Sequence, residues 1–265
     1  MRKLRLAALA AVLALVPALS AVAQTGEGEV IVVHGVPDLT VDVYVNGELT
    51  LEDFEYGDVA GPLALPEGSY DLEVYAAGAD PDADDPALMG SADLPAGAVA
   101  TIAAYLQEGG TPTLGVFVED NGEIAAGNAR VTARHLADFG AVDILANGGA
   151  VFEGVTNGAG GDADVPADTY NIQITAAGDP STVAFDADVP LEEGTNTIAY
   201  AIGSVAGESF QVVTAAITDL GATPEGVPTG DAGLASGVNP IVWVVLGMIS
   251  LTALGGSVAL ARESS

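Results

Sequence analysis

His34 and His135 are the only histidines in this 265-residue chain, and they are the side chains best suited to metal or proton chemistry. Each stands eight residues before an aspartate, Asp42 or Asp143. Neither has a second histidine or a cysteine at ligand spacing, and a zinc site needs several such donors. The expected role of each is therefore a strand-end side chain, hydrogen-bonded to backbone nearby. Asp42 and Asp143 lie mid-strand beside apolar residues, and they are expected to be solvated or tied to the adjacent turn. A catalytic carboxylate pair needs a partner across a cleft. Among 37 acids, carboxylates neighbour one another by chance. Gly-x-Ser-x-Gly is absent, so no serine nucleophile is indicated. GEGEV near the start and GGTPTLG at 109–115 contain no lysine and open no helix, so neither is a phosphate loop. The strongest metal candidate is calcium. Asp80, Asp82 and Asp84 in ADPDADDP fall at the first, third and fifth positions of a calcium loop. Asp85 then stands where glycine is wanted and Ser91 where a bidentate glutamate is wanted, so a solvated acidic loop is the competing reading.

These residues must be carried by strands. In VDVYVNGE, Val41–Glu48, valines alternate with Asp42, Tyr44 and Asn46, the period of two of a half-buried strand. Asn46-Gly47 then tolerates the positive φ angles of a tight hairpin. VDILANGG, Val142–Gly149, repeats the pattern. SYDLEVYAAGADP from Ser69 corresponds to TYNIQITAAGDP from Thr169, and LPAGAVATIAAY from Leu94 to VPLEEGTNTIAY from Val189. Short strands separated by Pro37-Asp38, Asn46-Gly47, Pro66-Glu67-Gly68 and Pro95-Ala96-Gly97 predict an all-β fold. The expectation is two tandem antiparallel immunoglobulin-like β-sandwich modules, at 29–120 and 129–218, with a closed barrel as the alternative. A short extension, 24–28, precedes them and a linker, 121–128, joins them. The Gly- and Pro-rich segment 219–237 reads as a flexible stalk.

A leading strand ending in His34, then Pro37-Asp38, then Asp42, Tyr44, Asn46 and Gly47, then Pro66, Gly68 and Tyr70, resembles the bacterial family catalogued as domain of unknown function 4397. The resemblance covers roughly Glu29–Asp120 and recurs, more divergent, over Ala129–Thr218. The second copy has Leu136-Ala137-Asp138-Phe139-Gly140 in place of the Pro-Asp pair and Ala167-Asp168 in place of Glu67-Gly68. The resemblance implies exported, repeated β-rich surface modules and no established activity.

The chain ends suggest an address. Residues 1–23 have a basic start, an apolar run and a small-x-small Ala21-Val22-Ala23 finish, the form of a signal peptide cut after Ala23. An uncleaved anchor is the alternative. Residues 238–261 carry no charge and are long enough to span a bilayer as a transmembrane helix. Arg262 opens a short cytoplasmic tail, 262–265. Val227-Pro228-Thr229-Gly230 before the span is similar to a Gram-positive sorting signal, although the residue between Pro and Thr is missing. Membrane retention with the modules outside is expected, with sortase attachment to the cell wall as the alternative.

Composition narrows the function. Six bases face 37 acids, for a formal charge of −31. That excludes nucleic-acid binding by phosphate contacts and docking on anionic lipid by charge. With no cysteine, each module must be stable through its own core. After loss of the leader only Arg130, Arg134 and Arg262 remain basic. Such a surface predicts stability that rises with salt. The expected function is non-catalytic: a cell-surface protein whose modules serve adhesion, envelope architecture or protein contact, with an envelope protein or glycan as partner. The alternative is a carbohydrate- or small-ligand-binding receptor, for which Tyr44, Tyr56 and Tyr75 would supply the surface.

Overall fold

A computed structural model of the chain describes residues 26–222. The expected signal peptide, transmembrane helix and cytoplasmic tail, and most of the stalk, lie outside them. Within the described residues the fold is all-β, with sixteen strands in four sheets of four.

The first module contains β1 (Glu27–His34), β2 (Val41–Val45), β3 (Glu48–Phe54), β4 (Val59–Pro66), β5 (Gly68–Ala76), β6 (Leu88–Leu94), β7 (Val99–Leu106) and β8 (Pro112–Glu119). They form one sheet of order β4-β1-β7-β8 and a second of order β3-β2-β5-β6. The second module contains β9 (Asn128–His135), β10 (Val142–Ala146), β11 (Gly149–Val155), β12 (Ala159–Pro166), β13 (Asp168–Ala176), β14 (Asp179–Leu191), β15 (Asn196–Ile202) and β16 (Gln211–Ile217). Its sheets run β12-β9-β15-β16 and β11-β10-β13-β14, the same order strand for strand. Separate sheets facing across a core make each module a sandwich and not a barrel.

One expectation needs correction. The modules are not purely antiparallel, because β1 pairs with β7, and β9 with β15, in parallel. β7 arrives from the opposite sheet after a long excursion, and a parallel neighbour requires just such a crossover. An immunoglobulin domain divides seven strands four and three. Here the division is four and four, so the likeness stops at two layers.

The hairpin turns follow their chemistry. Val45 pairs with Glu48 across Asn46 and Gly47, at φ 52° and 76°. Asn147 and Gly148, at 50° and 77°, repeat the turn. Each asparagine side chain also accepts from the β5 or β13 backbone, Asn46 Oδ1 from Asp71 N at 2.8 Å and Asn147 Oδ1 from Asn171 N at 2.9 Å.

The cores show how the layers stack. On β1, Val30 and Val32 face Leu72 and Leu94 of the opposing sheet. Ile31 and Val33 point the other way, with Val99, Ala103 and Tyr105 of β7, onto Ile198, Tyr200 and Ile202 of β15. Ala133 and Ala201 then meet Val142, Ile144 and Ile174 across the second sandwich. The modules are thus fused face to face into a four-layer body. All eight residues of β7 are buried, because its sheet is covered on both sides.

The connections belong to this body. Ile124, in the expected linker, is fully buried. Its amide donates to Leu220 O at 2.7 Å, and its carbonyl accepts from Ala222 N at 2.8 Å. Backbone pairing thus continues into the segment expected as a stalk, as far as Ala222, the last described residue.

Candidate functional site

Polar side chains at the module junction are the first cluster. Arg130 lies 2.9 Å from Asp120 and 2.7 Å from Asp164. Arg134 lies 2.6 Å from Glu119, whose side chain is fully buried, and its guanidinium covers the Phe117 ring. Thr101 Oγ1 and Tyr200 Oη are 2.7 Å apart across the seam. Tyr56 Oη donates to Ser209 O, and Asn157 Nδ2 donates to Leu106 O at 2.9 Å. These groups satisfy one another, so the cluster is a staple and presents no reactive group. Arg130 and Arg134 are the only Lys or Arg among the described residues, and both are spent here. Sequence reasoning gave them no role; two arginines kept within five residues, in so acidic a chain, were the available signal.

The histidines sit where expected. His34 Nε2 is 2.7 Å from Leu39 O. His135 Nε2 is 3.2 Å from Phe139 O and 3.0 Å from Gly140 O. A carbonyl only accepts, so Nε2 carries the proton in each and Nδ1 is bare. Both Nδ1 atoms are buried with no protein hydrogen-bond partner. Burial lowers the pKa of both rings, opposed by the backbone bonds and weakly by Asp58 or Glu108.

The aspartates are clamps. Asp42, 6% exposed, accepts from Asp53 N at 2.9 Å and Gly78 N at 3.0 Å. Asp143 accepts from Gly154 N at 2.7 Å and Gly178 N at 2.9 Å, and those amides hold its carboxyl below the usual range. Asp53 and Gly154 have positive φ beside register shifts in the β2/β3 and β10/β11 ladders. A bulge frees an amide from the ladder, and the carboxylate receives it. Of the two roles weighed from sequence, attachment to the turn is the observed one.

The calcium triad does not converge. Asp84 Oδ2 accepts from Asp80 N at 2.9 Å, and Asp80 Oδ1 from Asp82 N at 3.1 Å, so two of the three carboxylates cap their own loop. Among the described residues no cluster of three His, Asp or Glu could hold a metal ion. The three tyrosines offer no flat exposed face either. Tyr75 is buried, 5.3 Å edge-on from half-buried Tyr44, and Tyr56 serves the seam.

Two concavities lie inside the sandwiches. The first module holds a cavity of about 250 Å3, walled by Val30, Val43, Leu63, Leu65, Leu72 and Ile102. The second holds one of about 220 Å3, walled by Val131, Ile144, Phe152, Ile172, Phe185 and Val212. His34 and His135 occupy equivalent places in the two walls. Several inward-facing residues remain half-exposed, including Leu51, Leu63 and Leu65 in the first module and Phe152, Ile172 and Val212 in the second. The sheets therefore gape. An apolar recess with a few polar groups is the usual form of a small-molecule site. Sequence periodicity could not reveal it, because alternation gives facing and not sheet separation.

The family model described as Domain of unknown function (DUF4397) matches residues 28–145. The match spans the whole first module, crosses the connection and ends on β10. No curated protein matches the chain.

Proposed function

Residues 28–145 belong to the DUF4397 domain family, and from that premise we propose that this chain is a non-catalytic cell-surface protein. In this reading the leader 1–23 exports it and the span 238–261 retains it. The two modules then stand outside for adhesion, envelope architecture or protein contact.

One observation carries the reading: both arginines of the described body are paired within the seam. The outer faces are left with acidic side chains and no exposed lysine or arginine. A stiff body of that kind stays soluble beside its own copies and selects basic or cation-bridged partners. Protease treatment of intact cells tests the reading. The body should be shed while cytoplasmic markers stay whole; intact protein in the cytosol overturns the proposal. Mass measurement of the mature C-terminus separates the two anchorages, since cleavage after Thr229 replaces membrane retention with wall attachment.

A second reading, a small-ligand receptor, is favoured by the apolar cavity repeated in both modules. The placement of the tyrosines speaks against its carbohydrate form, which wants an exposed aromatic platform.

A further inference from the structure

The first cavity has features that narrow what could enter it. Its wall is built from Val, Leu and Ile side chains of both sheets, so it favours an apolar body over water. At about 250 Å3 it exceeds the roughly 150 Å3 void that accepts benzene, and it falls short of the roughly 300 Å3 at which pockets for larger ligands begin. One ring or a short alkyl chain is the corresponding size.

The polar rim is one-sided in charge. Asn46, Glu48, Thr50 and Asp93 border the same cavity, and all four are exposed. Register places them toward one end of the sandwich. Glu48 pairs with Val45, which packs on the core of the cavity, so Glu48 shares the inward face, whereas Asp93 pairs with Ser69 and accepts from its hydroxyl on the outer face. His34 and Ala104, partners across β1 and β7, border the cavity at the other end of β1. No lysine or arginine lines this cavity, whereas Arg134, paired with Glu119, lines the second. An anionic head group would meet Glu48 unscreened by any lysine or arginine of the wall.

We propose that the first module binds a small hydrophobic cation, its apolar body between the sheets and its ammonium group at Glu48. The proposal rests on the small-ligand reading and adds the charge class of the ligand. The second module has Gly149 in the place of Glu48 and takes the apolar body without that preference.

The probes are three fluorinated aromatics of one size: para-fluorobenzylammonium, para-fluorotoluene and para-fluorobenzoate. Fluorine NMR titration uses the mature chain at low salt. Saturable binding is expected, with the cation about tenfold tighter than the anion, a ratio that shrinks with added salt. Ala100→Leu and Ala92→Leu, both in the wall of the first cavity, should each remove the cation-preferring site. Far-UV circular dichroism and melting confirm that either variant is folded. E48Q should keep the binding of para-fluorotoluene and bring cation and anion affinities together.

Failure separates the two claims. If none of the three probes saturates at millimolar concentration, the small-ligand reading falls and the proposal with it. If all three bind equally and the Ala100→Leu or Ala92→Leu variant abolishes binding, the cavity is a ligand site and the cation claim falls. Cation binding that persists in both filled variants is surface attraction and overturns the proposal.

Discussion

At the scale of single residues, the repeat is preserved by side chains that satisfy backbone. Asp42 and Asp143 each collect two amides from separate turns. Tyr70 and Tyr170 each donate to a proline carbonyl four residues back, at 2.6 and 2.9 Å. Replacing Asp42 with alanine strands two donors, and we expect a loss of about 2–3 kcal/mol in chemical denaturation. Asp42→Asn keeps one acceptor and should lose less; equal losses would contradict the clamp. The histidines set a pH dependence. Both are held neutral by burial, with pKa values lowered from 6.5. On acidification the unfolded chain therefore takes up protons first. Their contribution is complete above about pH 6.5 and is lost as pH falls through the folded values. In molar salt, which screens net charge, the melting temperature should drop between pH 7.5 and 5, and drop less in His34→Gln/His135→Gln. Asp143, also lowered, titrates below that window and does not confound it.

At the scale of elements, β7 and β8 show opposite consequences of burial. Every residue of β7 is covered, Ala103 completely, because Ile198 and Tyr200 lie on one side and Leu72 and Leu94 on the other. Ala103→Leu overfills the seam and should cost about 1–3 kcal/mol. Val118 on the edge strand β8 is 67% exposed, and Val118→Thr should stay within about 0.5 kcal/mol. Denaturant midpoints of the two variants check both statements, and a neutral Ala103→Leu would mean that the sheets do not press together there. Val99–Leu106 was legible as a strand from its apolar run. Its double burial was hinted at by the lack of any charge, a property also compatible with one-sided packing.

At the scale of the whole molecule, the seam makes one body of two modules. Ile31, Val33, Tyr105, Tyr200 and Ile202 share one core, so separating the modules exposes it. Calorimetry of residues 24–222 should give a single transition whose calorimetric and van't Hoff enthalpies agree; two resolved transitions would deny the shared core. Raising salt from low to molar should raise the melting temperature, since the acids outside have no neighbouring cations to relieve them. Arg134→Met removes the counter-charge of buried Glu119 and should cost about 3–5 kcal/mol, most of it recovered by adding Glu119→Gln. A single variant no worse than the double would refute the ion pair as the staple.

The amino-acid sequence by itself determined the strand class, the Asn-Gly hairpins, the tandem repeat and the acidic balance. Those rest on local period, on φ tolerance and on composition, each readable within a few residues. Tertiary structure alone decided the parallel β1/β7 pair, the fusion of the modules and the gape of each sandwich. Alternation says that a side chain has a face, but what meets that face, and how closely, depends on strands far apart in the chain. Ile31 and Val30 look alike as letters; only the stacked sheets send one to the seam and the other to the cavity wall.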